Sequence, residues 1–89
     1  MNIYISQNAS KYGGLNLYTE WTDICHQREP FIWVSYDSFR NTSRWQGVER
    51  KRKYQVEKYW RGRHGLTRQS IGFYSSMEKA LAVANDWAK

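Results

Sequence analysis

The 89 residues contain one cysteine, one proline and two histidines. Lone Cys25 has no thiol to pair with inside the chain, so no internal disulfide is expected. A single thiol suits a reducing compartment, and a cytoplasmic location is the expectation. His26 and His64 are far apart in sequence. The neighbours Cys25 and His26 would point about 100° apart on a helix and seldom chelate one ion. No Cys/His spacing resembles a zinc site. There is no nucleophile elbow. Gly62-x-x-Gly65 is too short to cradle a phosphate and reads as a turn. The expectation is a protein without catalysis, metal or cofactor. No apolar run is long enough to cross a membrane. The first residues also lack the basic segment and apolar core of a signal peptide.

Charge and aromatic rings are plentiful by contrast. Five Trp and seven Tyr help to make the chain 17% aromatic. A core of this size needs fewer rings, so some are expected at the surface or at an interface. The formal net charge is +6. It is distributed unevenly. Residues 1–38 hold Lys11 and Arg28 against Glu20, Asp23, Glu29 and Asp37, a net of −2. From Arg40 to Arg68, ten basic residues face only Glu49 and Glu57, a net of +8. Such clustering points to a polyanionic partner, nucleic acid above all. A basic, solvated hairpin that guards its own edge is the plainer reading, and a surface for an acidic protein is another.

The apolar pattern predicts an α+β fold in one domain spanning 1–89, close to the size at which a single core just suffices. Ile3 and Ile5 alternate with Asn2 and Tyr4, the pattern of a short edge strand or a loose arm that Gly13-Gly14 interrupts. Leu17, Tyr18, Trp21, Ile24 and Cys25 form one helical stripe, which predicts a helix over 16–27 with Cys25 in its core face. Pro30 ends it. Phe31 to Tyr36 reads as a strand or a buried extended segment. Strands are then expected over 45–51, 53–61 and 67–74. Tyr54, Val56, Ile71 and Phe73 are assigned to an apolar face. Gln55, Glu57, Tyr59, Arg61, Arg68 and Ser70 are assigned to an exposed one. Ser75, three residues before Glu78, has capping-box spacing for a last helix carrying Met77, Ala80, Leu81, Ala84 and Trp87 on one side. The fold class expected is therefore a three-stranded antiparallel sheet packed against a C-terminal helix, with an additional N-terminal helix. Residues 1–44 would supply the helix and extended segment, and 45–89 the sheet-plus-helix unit.

Three stretches together resemble a known family. These are Gly47-Val48, Tyr54-Gln55-Val56-Glu57 and Ile71-Gly72-Phe73-Tyr74-Ser75-Ser76-Met77-Glu78-Lys79-Ala80. Their order is similar to the Apetala-type, ethylene-response-factor DNA-binding domain, also found in phage endonucleases and at the N-termini of some integrases. The resemblance covers residues 47–89. It implies a three-stranded sheet lying in the DNA major groove, and an origin in a phage or mobile element. Carried over by position, its contact places fall on Glu49, Lys51, Glu57, Tyr59, Arg68 and Ser70. Glu49, Tyr59 and Ser70 depart from the family's larger or more basic residues. Arg50, Lys51, Arg52, Lys53, Arg61, Arg63 and Arg68 supply charge that phosphate binding could use without sequence preference.

The order helix, three strands, helix also resembles the double-stranded-RNA-binding domain. That family places two lysines at the start of the last helix, where this chain has Met77 and Glu78. A carboxylate there would repel phosphate, which disfavours RNA. The leading expectation is duplex DNA binding through the exposed sheet face. RNA binding, and a small inhibitor or adaptor acting on a host protein, are the alternatives.

Overall fold

The computed structural model describes residues 1–15, 17–37 and 53–89. In chain order these form β1 (Asn2–Ile5), α1 (Gln7–Gly13), α2 (Trp21–Ile24), β2 (Phe31–Tyr36), β3 (Tyr54–Gly62), β4 (Gly65–Tyr74) and α3 (Met77–Ala88). The strands make one four-stranded sheet in the order β1-β2-β3-β4. β1 runs parallel to β2, and the other two pairings are antiparallel. This corrects the three-stranded antiparallel sheet expected above. The place beside β3 belongs to β2, which pairs along its full length from Phe31↔Tyr59 to Tyr36↔Tyr54. The strand expected over 45–51 lies outside the described residues. The two sequence halves therefore share one sheet.

β2 occupies an interior place because four consecutive residues, Phe31 to Val34, are buried. A run apolar on both parities needs cover on both faces. Ile32 and Val34 join Val56, Tyr54, Ala80, Ala84, Met77 and Ala9 under α3 and α1. Phe31 and Trp33 face the other way and pack with Ile24 of α2. Each fully buried Ile or Val contributes about 1.5–3 kcal/mol.

α1 rests on capping more than on a stripe. The Ser6 side chain accepts from the Ala9 N–H at its start, and Gly14 takes the left-handed conformation (φ 77°) at its end. The Gly14 N–H then reaches the Ser10 carbonyl. Glycine adopts this φ without the Cβ penalty. The helix predicted over 16–27 shrinks to the single turn of α2. Its first part is diverted to the sheet, where the Thr19 N–H donates to the Ile5 carbonyl at 2.5 Å. The Leu17 carbonyl accepts from the Ser10 hydroxyl at 2.5 Å. Backbone groups committed to these partners cannot close helical turns. Leu17 is consequently 83% exposed. Cys25, expected in a helical core face, is only half-buried at the end of α2.

The β3–β4 hairpin also departs from simple alternation. Val56 pairs with Gly72 and Glu57 with Ser70, so Ile71 is an extra residue. This bulge flips the parity beyond it. Tyr74 opposes Tyr54 on the α3 side, while Phe73 opposes Gln55 on the other. Gly72 leaves space for the Tyr74 ring, since a Cβ there would lie 2.7 Å from Tyr74 Oη. The cap of α3 is Ser76, one residue after the expected Ser75. The Ser76 Oγ accepts from the Lys79 N–H at 3.2 Å.

Gly13 brings α1 against the start of α3. A Cβ at that position would lie 2.7 Å from Met77 Cγ and 2.9 Å from Met77 Cβ. The latter atom is fixed to the α3 backbone and cannot swing away. Gly13→Ala should lower the melting temperature through an overpacking cost of about 1–3 kcal/mol, despite alanine's better helix propensity. An unchanged or raised midpoint would show that α1 does not bear on α3.

Candidate nucleic-acid interface

The long β3–β4 hairpin carries most of the sequence-predicted contact residues within the described part. Arg50, Lys51 and Arg52, like Glu49, lie outside it. Lys53 stands at the base of β3, where its carbonyl accepts from the Asp37 N–H at 2.8 Å. Glu57, Tyr59 and Arg61 share the face opposite α3 with Arg68 and Ser70, as alternation predicts. That face is not the open platform expected. Trp21 of α2 lies over it, with ring centroids 4.9 Å from Tyr59, 5.5 Å from Trp33 and 6.3 Å from Phe31. Phe31 and Tyr59 stack at 5.3 Å with 11° between planes. Tyr59 thus belongs to a small second core, with Ile24, Phe31 and Trp33 at its centre.

Arg61 is committed to the same cover. Its Nη2 donates to the Cys25 carbonyl at 2.7 Å and its Nε to the Gln27 carbonyl at 3.2 Å. Carbonyls at a helix C-terminus lack intrahelical donors, and a guanidinium satisfies them while complementing the helix dipole. Arg61 therefore clamps α2 onto the sheet. It was expected to meet phosphate. Arg61→Ala should lower the melting temperature by more than Arg63→Ala, which removes an exposed turn residue. Charged hydrogen bonds of this kind are worth roughly 1.5–3 kcal/mol. Equal melting temperatures for the two variants would remove the clamp.

Glu57 was expected at the exposed face but is buried at 4% exposure. Trp33 stands opposite it on β2 and Ser70 on β4. Its Oε2 lies 3.3 Å from Arg68 Nε, an ion pair between a buried carboxylate and an exposed guanidinium. That oxygen accepts no aligned hydrogen bond. Burial pushes the Glu57 carboxyl above its ordinary range, and Arg68 only partly opposes this. The Tyr59 phenol is likewise raised by burial and by the Glu57 charge.

Because the folded state holds the Glu57 proton more tightly than the unfolded chain, protonated Glu57 favours folding. That contribution is complete below the ordinary carboxyl range and is lost as pH rises through the raised folded-state value. Glu57→Gln should therefore melt higher than wild type at about pH 7, and the gap should close at about pH 4. A variant that melts lower at neutral pH would show that the Arg68 pair outweighs desolvation.

The α3-side parity of the hairpin differs in character. Lys58 pairs with Ile32 and with Gln69, and Trp60 pairs with Thr67. Lys58 and Trp60 follow Val56 on its side of the sheet. Neither belongs to a buried cluster. The Lys58 Nζ sits 5.7 Å from the Trp60 ring centroid. At the tip, Arg63 and His64 are exposed in the turn before Gly65, whose φ is 114°. Lys58 was not among the predicted contacts because it reads in sequence as an interruption of an apolar parity. A lysine interrupting such a row was the available signal that the row leaves the core.

Among the described residues no group of His, Cys, Asp and Glu could hold a metal ion. No described helix is long and apolar enough to cross a membrane. No family model, curated protein or solved structure matches the chain.

Proposed function

We propose that this is a small basic nucleic-acid-binding protein whose β3–β4 ribbon engages the phosphate backbone. One observation carries the reading. Along residues 53–74 the only acid is Glu57, and it is buried beneath Arg68. Lys53, Lys58, Arg61, Arg63 and Arg68 are the basic residues of that span. The exposed charge of the ribbon is thus of one sign. A two-stranded β-ribbon is one of the elements that a DNA major groove can admit, and phosphate contacts need charge more than exact side-chain identity. Binding through the broad sheet face has less support, because Trp21 and Tyr59 cover much of it. Arg50, Lys51 and Arg52 add positive charge in sequence on the N-terminal side of the ribbon.

The test is a titration of duplex DNA of arbitrary sequence at several salt concentrations. Wild type is set beside Lys58→Gln/Arg63→Gln, two positions that clamp no other element. Each lost phosphate contact should flatten the plot of log affinity against log salt by about 0.9, so the double variant should lose about 1.8. Melting temperature should hardly change, since such surface substitutions cost within about 0.5 kcal/mol. Equal affinity and equal slope would show that the ribbon is not the contact surface.

A further inference from the structure

We propose that the ribbon's target is a single-stranded polynucleotide, with Trp60 as the ring on which an unpaired base stacks. This rests on the nucleic-acid reading above and narrows it. The ribbon has two unlike faces. One is occupied from within, since Tyr59 lies under Trp21 and Arg61 is bonded to the end of α2. The other carries Lys58, Trp60, Thr67 and Gln69, and Trp60 packs against neither buried cluster of the described residues.

Trp60 is the informative residue there. An indole on a sheet normally contributes to a core, as Trp33 does at 8% exposure. Trp60 instead stays half-buried outside both cores. β2 does not extend to it, because the β2–β3 ladder begins at Phe31↔Tyr59. Among the described residues the ring interaction it makes is with the Lys58 ammonium, 5.7 Å from its centroid. An aromatic plane and a cation are thus presented together, the ammonium over one face of the ring. A nucleotide offers the complementary pair, a base with a π-face and an anionic phosphate. Every base can stack, so the recognition is tolerant of sequence. In a duplex the base faces are already stacked on one another, and a side chain on a ribbon meets only edges and backbone. The exposed Gln69 amide, paired across from Lys58, can donate to and accept from a base edge once the base is unpaired.

The closing experiment measures binding of an oligothymidylate, an oligouridylate and a duplex DNA of equal length by fluorescence anisotropy. The proteins are wild type, Trp60→Leu and Trp60→Phe. Leucine keeps the apolar bulk and so protects the fold, while phenylalanine keeps a ring face. Circular dichroism melting checks that each variant is folded. Wild type should bind the single strands more tightly than the duplex. Trp60→Leu should weaken single-strand binding roughly 5- to 150-fold, the span associated with one stacked base, and leave duplex binding nearly unchanged. Trp60→Phe should recover most of the loss. The two single-stranded probes distinguish DNA from RNA.

Single-strand affinity indifferent to Trp60→Leu, or a loss equal on all three probes, would overturn the stacking role while the phosphate-binding reading stands. Tighter binding to the duplex would overturn the single-strand preference. Absence of salt-sensitive binding to any probe would bring down the underlying reading itself.

Discussion

The structure depends on one strand that must be covered twice. Phe31, Ile32, Trp33 and Val34 are consecutive and buried, so their side chains enter both sides of the sheet. One side is closed by α3, whose Ala80 and Ala84 let the helix approach the strands closely. The other is closed by a single turn, α2, too short to be stable by its own hydrogen bonds. Trp21 and the Arg61 clamp compensate by tying that turn to the strands. The requirement to cover Phe31 and Trp33 explains why Tyr59 and Arg61 on that face take part in packing.

The same requirement divides the hairpin. Where β3 lies beside β2, its residues are drawn into one core or the other. Past Phe31↔Tyr59 the ribbon has no third strand among the described residues, and Trp60 on its α3 side stays half-buried outside both cores; Lys58, opposite Ile32, is half-buried too. Charge follows this geometry. The one ribbon carboxylate is buried where Trp33 and Arg68 surround it, and the cations remain exposed or half-buried at the edge and tip. The ribbon is therefore cationic on both faces, with Arg61 and Arg68 on the side of Trp21 and Lys58 on the side of α3.

Much of the local structure was legible. The strands around 54–61 and 67–74 and the last helix follow from alternation, a turn at Gly62 to Gly65 and a serine cap. The cap is Ser76 where the spacing to Glu78 favours Ser75, because adjacent serines are both competent to cap and the sequence does not separate them. Alternation placed Glu57, Tyr59, Arg61, Arg68 and Ser70 on one face, and they lie there. It misplaced Phe73, because a bulge leaves no mark that period-2 reasoning can register. α1 left traces in Ser6 and Gly14, yet with only Ala9 and Ser10 buried it has no apolar stripe to announce it.

The sequence by itself determined the α+β class, the concentration of positive charge from Arg40 to Arg68, and the extended character of Phe31 to Tyr36. These depend on side-chain type and near-neighbour spacing, which a linear chain displays. Only the tertiary structure decided the strand order, the parallel β1–β2 pair, the reduction of the predicted 16–27 helix to one turn, and which polar residues were spent on packing. Each involves partners distant in sequence: Thr19 with Ile5, Arg61 with Cys25 and Gln27, Trp21 with Tyr59. Local propensity for helix at Leu17 and for exposure at Glu57 was real. It was outweighed because a backbone donor satisfied at a sheet edge and a ring buried in a second core contribute more than a marginal helical turn.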